Sequence, residues 1–340
     1  MKLFITLILL LFCFVNFSFS KTNSDTISSS KFPDDTVSYN GTHYIYSKPK
    51  PFRFLKNIPK DFVDFSKNYF TKKNIPNIIG LTVGTVALVV MDQPLIDNSK
   101  KVGTALNIDG ESGQKTYIHF KLFSLSFQDV YVQFNGPHDL SSAMYFIGDG
   151  WTHIAIGASY LTYGLIKKDN RALQAASCMA ETMVAVGTAV QFLKHTTGRE
   201  SPFVATVPGG KWTPLPNQIE YSKNVPHYDA YPSGHIATAM ATVTVMAELY
   251  PEYNYIRPVG YSLMGVLMFA MLNNGVHWAS DYPLGIALGY GFAKVAVNKS
   301  RKKIENTSTT SVLKKDNSFL KAVEFTPIAT GYGVGMRMKF

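Results

Sequence analysis

The residues of this chain best suited to chemistry are two histidines, an aspartate and a serine, carried on two short stretches. The first is Pro232-Ser233-Gly234-His235, which heads an apolar run from Ile236 to Ala247 that reads as a helix. A Ser-Gly step at a helix entrance turns backbone N–H groups and a hydroxyl toward one point, and the helix end adds partial positive charge there. That combination cradles an anion, and His235 at its lip can move a proton to or from whatever is bound. Alone, Ser-Gly-His before a helix is more often only a cap. The second stretch is Gly275-Val276-His277-Trp278-Ala279-Ser280-Asp281. His277 and Asp281 stand four apart, so one helical turn sets them side by side. A carboxylate beside an imidazole fixes its tautomer and leaves the other ring nitrogen free to attack.

The chemistry these residues can do together is phosphoryl transfer. A phosphate monoester would sit on the Ser233 hydroxyl, the Gly234 amide and the positive groups of the 194–199 segment, Lys194 and Arg199. His277 would attack phosphorus in line and become phosphohistidine. His235, as imidazolium, would protonate the leaving oxygen and then take a proton from the water that hydrolyses the intermediate. The scheme uses neither metal nor cofactor. The remaining histidines show no ligand spacing and read as structural or surface groups.

These residues must be positioned by helices. From Ile75 onward, apolar small-residue segments follow one another over roughly 75–91, 144–166, 172–194, 235–250, 257–273 and 282–297. Most fall short of, or only just reach, the ~20 residues that a bilayer span needs. They predict an all-α fold, a compact bundle with a six-helix core. If the last four helices alternate in direction, Lys194, His235 and the 273–281 segment all fall at one end. The stretch 97–143 mixes aromatics with Asn, Gly, Asp and Pro and reads as an irregular excursion or short helices. The loop 195–232 carries seven Pro and Gly residues between 202 and 226. Loops of that length inside compact domains tend to be functional.

The flanks read differently. Residues 1–20 have the charge, apolar core and small-residue end of a secretory signal, with an uncleaved anchor as the alternative. Residues 21–70 are polar and predict a loosely ordered arm. The helical domain is expected over 71–299. A basic linker and a short C-terminal β-hairpin follow over 300–340, since Val334, Met336, Met338 and Phe340 alternate with polar or small residues. Cys13 lies in the signal segment, which leaves Cys178 unpaired. Charged residues are only 16% of the chain, apolar ones 46%, and the net charge is +10. A basic surface attracts phosphate esters, anionic lipid or nucleic acid alike. No nucleic-acid-binding signature accompanies the charge, and nucleic acid is set aside as a partner.

The chain resembles the type 2 phosphatidic acid phosphatase family, which includes bacterial acid phosphatases and shares its fold with vanadium haloperoxidases. The family carries Lys-x6-Arg-Pro, Pro-Ser-Gly-His and Ser-Arg-x5-His-x3-Asp. The second motif is complete here at 232–235. The third is matched by His277 and Asp281, and the first by Lys194 and Pro202. Ser201 and Met271 stand where the family has arginines that hold phosphate oxygens. A charged hydrogen bond is worth ~1.5–3 kcal/mol, and losing one such donor costs on the order of 10²–10³-fold in turnover. Arg199, two residues before Ser201, is the substitute the sequence offers. Nothing charged stands near Met271, and Lys211 or Lys223 could fold in only from the long loop. The resemblance implies an exported, metal-independent phosphatase of a phosphomonoester or lipid (pyro)phosphate, in the periplasm or envelope. Two alternatives stand beside it: a weak or inactive relative that binds phosphate or lipid headgroups, and a vanadate-dependent haloperoxidase. Oligomeric state and membrane contact are left open.

Overall fold

A computed structural model of the chain describes residues 35–108, 110, 115–125, 128–305, 324–330 and 333–339. The expected signal segment 1–20 and the linker 306–323 lie outside the described residues. The chain opens with strands β1 (Asp35–Tyr39) and β2 (Thr42–Tyr46), then helices α1 (Arg53–Tyr69) and α2 (Ile75–Ala105). A hairpin follows, β3 (Lys115–Leu125) and β4 (Gln128–Gly136), then α3 (Leu140–Phe146), α4 (Gly150–Lys167) and α5 (Asn170–Thr197). After the long loop and the short α6 (Gln218–Lys223) come α7 (Gly234–Leu249), α8 (Ile256–Asn273) and α9 (Tyr282–Ser300). Strand β5 (Lys302–Glu305) pairs with β2, and β6 (Glu324–Thr330) with β7 (Gly333–Lys339), all antiparallel.

The helices start where the sequence supplies caps. Asp149 accepts from Trp151 N, Asp169 from Ala172 N and Ser233 from Ile236 N. Each satisfies a backbone donor that the first turn leaves without a partner. Helix α5 ends at Gly198, whose φ of +57° favours glycine.

Helix α7 is the axis of the bundle and packs against α4, α5, α8 and α9. Its residues Ala237, Ala241 and Val245, one turn apart, meet Val186 and Val190 of α5 and Leu288, Phe292 and Ala296 of α9 in one buried cluster. Ile236 and Met240, on another face, meet Met264, Leu267 and Met271 of α8. Burying each large side chain in these clusters contributes about 1.5–3 kcal/mol. Helix α9 comes close enough to the start of α7 that a Cβ at Gly285 would lie 2.7 Å from the Ser233 carbonyl oxygen. That contact presses the Pro-Ser-Gly-His turn against a rigid neighbour.

Two expectations are corrected. Residues 35–69 form the β1–β2 hairpin and α1, where a loose arm was expected; α1 packs on α5 and α9 through Phe62 and Phe65 against Phe292. The stretch 97–143 holds the end of α2, the β3–β4 hairpin and α3, where an irregular excursion or short helices were expected. Helix α2 turns Leu88, Leu95 and Ile96 inward and leaves Ile79, Val83, Val86 and Val90 exposed. The segment Lys72–Ala105 and helices α5 and α8 are long and apolar enough to cross a membrane.

Candidate active site

His235, in the first turn of α7, and His277, in the turn after α8, face each other with ring centres 5.9 Å apart and planes at 69°. Tyr145 of α3 closes another side of His235, ring centres 4.7 Å apart. His277 is buried and its Nδ1 lies 3.4 Å from Asp281 Oδ2, within ion-pair reach but without a well-directed hydrogen bond. Asp281 is held firmly: Oδ2 accepts from Trp278 N at 2.8 Å and Oδ1 from Arg199 at 2.7 Å. Its carbonyl accepts from Ser233 N at 3.0 Å, which ties the cradle turn to the carboxylate. Nδ1 thus faces Asp281, and Nε2 is the nitrogen left for chemistry.

Ser233 is fully buried. Its Oγ accepts from Ile236 N at 3.4 Å and points at the Met271 sulfur, 3.9 Å away. A thioether is a weak acceptor, so an incoming phosphate oxygen can take that hydroxyl over. Lys194, in the last turn of α5, is buried and pairs with Asp229 at 3.3 Å. It is close enough to act on His235 electrostatically. Burial first, then the charges of His277, Lys194 and His153, pushes the His235 imidazole well below its usual range. A dianionic phosphate beside the ring works in the opposite direction and favours the imidazolium.

Arg199 does other work than the sequence suggested. Its Nη1 donates to Ser280 Oγ at 2.6 Å and to Asp281 Oδ1; its Nη2 donates to Asp92 Oδ2 at 2.6 Å and to the Gly209 carbonyl at 2.7 Å. All four terminal N–H groups are committed, the side chain is fully buried, and the guanidinium lies between the rings of Trp212 and Trp278. The expectation that Arg199 replaces a phosphate-holding arginine is therefore corrected: in this arrangement it organises Asp281. Lys211 and Lys223 are exposed. Ser201 and Met271 are buried, and Ser201 N donates to the Pro226 carbonyl. The long loop folds around Glu200, whose carboxylate accepts from Thr206 N and Lys211 N at 2.9 Å each.

Asp92 escaped the sequence reading, and His153, read among the structural or surface histidines, is buried. Asp92 of α2 is fully buried and bonded to Arg199 and Ser280. An acid directly after the uncharged apolar run 75–91, within the same helix, was the available signal. His153 of α4 is 4% exposed with neither ring nitrogen hydrogen-bonded, and burial holds it down at about 4. It lines an apolar cavity of about 200 Å³ between α4, α7 and α8.

Residues 175–305, from α5 through β5, match the family described as the PAP2 superfamily. No curated protein matches the chain. Among solved structures, the chain is similar to the crystal structure of the first transmembrane PAP2 type phosphatidylglycerolphosphate phosphatase from Bacillus subtilis, at 13% identity. That alignment covers 65% of this chain and 94% of the other with a TM-score of 0.34. The three spaced motifs all lie within the segment, residues 175–305, that matches the PAP2 superfamily.

Proposed function

We propose that this protein is an exported, metal-independent phosphatase that hydrolyses a phosphomonoester or lipid phosphate through a phosphohistidine at His277. The observation that carries the reading is the pair of imidazoles 5.9 Å apart, one backed by a carboxylate. In the first step His277 Nε2 forms a bond to phosphorus as the ester P–O bond breaks, and His235 gives its proton to the departing oxygen. In the second, His235 takes a proton from water, the water oxygen bonds to phosphorus and the N–P bond breaks. Phosphate leaves and His277 is regenerated. Ser233, the amides at the start of α7 and Lys194 hold the phosphate oxygens. The exposed apolar face of α2 supports contact with a membrane. The test is hydrolysis of 4-nitrophenyl phosphate and of a long-chain lipid phosphate by the purified protein, with His277→Ala alongside. Turnover that vanishes in the variant is expected; no hydrolysis of either from acid to neutral pH rejects the reading.

A second reading has its own observation. Arg199 is sequestered and Met271 offers only sulfur, so the cradle has one buried lysine where the family motif supplies two arginines as well. A weakly catalytic phosphate or headgroup binder fits that depletion. Phosphate binding by calorimetry without turnover would favour it.

A further inference from the structure

Asp92 lies outside the segment that matches the superfamily, on a helix that contributes no residue to its motifs. Yet all its bonds go to the immediate surroundings of Asp281. Its Oδ2 accepts from Arg199 Nη2 and from Ser280 Oγ, both at 2.6 Å, and its Oδ1 accepts from Ser280 N at 3.0 Å. Arg199 in turn donates to Ser280 Oγ and Asp281 Oδ1. Asp92, Arg199, Ser280 and Asp281 are all fully buried.

We propose that Asp92 is a positioning residue for the His277–Asp281 pair, acting from α2 through Arg199 and the Ser280 backbone. This rests on the phosphoryl-transfer reading of the site. The physical argument is one of charge and reach. Arg199 stands between two buried carboxylates, and with Asp92 present it is shared. With Asp92 neutralised, the whole guanidinium charge falls on Asp281, and the carboxylate is drawn toward Arg199 and away from Nδ1 of His277. The Ser280 N–H also loses its charged acceptor, and the turn that carries Asp281 loses its anchor to α2. Groups that orient a functional side chain from one residue away typically matter by about 10–100-fold.

The experiment compares full-length wild type with Asp92→Asn and Asp92→Glu. Phosphoester hydrolysis gives kcat and KM, and ¹⁵N-histidine labelling gives the tautomer of His277 in the neutral ring. Asp92→Asn is expected to lower kcat by about 10–100-fold with KM within about threefold, and to reduce the fraction of His277 protonated on Nδ1. Asp92→Glu, which keeps the charge, is expected to recover most of both. A folded Asp92→Asn with wild-type kcat and tautomer overturns the proposal. So does a kcat loss that follows melting temperature alone while the tautomer stays put. If Asp92→Asn does not fold, Ser280→Ala removes one anchor of Asp92 and should move kcat and tautomer the same way by less; wild-type values there overturn the proposal too. If the wild type hydrolyses no phosphoester, the functional reading fails, and the tautomer measurement still decides the positioning role.

Discussion

The two sides of the cradle are built differently. Behind His277, Asp281, Arg199, Ser280 and Asp92 interlock in a buried network whose hydrogen bonds run from 2.6 to 3.0 Å. On the opposite side, Ser233 faces the sulfur of Met271, and Lys194, which acts electrostatically on His235, is already paired with Asp229. On the proposed mechanism, the first region orients the attacking imidazole by placing a carboxylate beside its Nδ1. The second would hold the charge of a phosphate and is poor in donors. On that mechanism, the comparison teaches that the groups that orient the nucleophile and the groups that hold the transferred phosphate are separable, and that the first set is the more fully built here.

The largest effect that could break this comparison is at the well-built side. His277→Ala is expected to lower turnover by at least about 10³-fold, and His235→Ala by about 10²–10⁴-fold, measured as phosphate release. Equal, small losses at both would show that the pair is not a catalytic unit. Next is the poor side. Met271→Arg, purified in phosphate to offset the buried charge, is expected to raise kcat by up to about 10²-fold. A folded variant with unchanged or lower kcat would mean that the cradle is not short of positive charge.

A third expectation sharpens the electrostatics of the gap. Burial, with His277, Lys194 and His153 around it, depresses free His235, while bound phosphate favours its protonated form. The proposed mechanism requires His235 protonated, so rates should fall as pH rises through its titration. The alkaline limb of kcat, which reports the complex, should therefore lie at higher pH than that of kcat/KM, which reports the free enzyme. Coincident limbs would contradict it.

The smallest effect concerns stability. His153 is held down at about 4, against 6.5 when unfolded. Between those values the unfolded chain binds the extra proton, so stability is full above pH 6.5 and declines as pH falls toward 4, by up to about 3 kcal/mol. His153→Leu should flatten that decline in denaturant titrations at pH 4.5 and 7. A wild-type slope in the variant would show that His153 is not the responsible group.

Much of the helical half was legible because its signals are local. Asp149, Asp169 and Ser233 mark helix starts, and apolar small-residue runs mark the buried faces of α4, α5, α7, α8 and α9. Helix order alone placed His235 and His277 at one end. The N-terminal half was harder. Asn40-Gly41, with φ of 48° and 74°, is the tight turn of the β1–β2 hairpin, a short signal inside a stretch read only as a loose arm. The β3 strand does alternate, Ile118, Phe120 and Leu122 against His119 and Lys121, but these side chains are exposed on both faces and the Asn, Gly and Asp around the stretch masked the pattern. Arg199 was misassigned for a related reason. Its spacing to Ser201 was visible, but its partner Asp92 lies 107 residues away in sequence, and no local pattern reports a pairing over that distance.

The most direct test of the central claim is to trap the intermediate. Full-length protein mixed with ³²P-labelled phosphoester is quenched in alkali, where phosphohistidine survives, and the labelled peptide is sequenced by mass spectrometry. Label on residue 277 of the wild type, absent in His277→Ala, is the predicted result. Phosphate release at an undiminished rate from His277→Ala, with no labelled peptide in the wild type, would contradict the account.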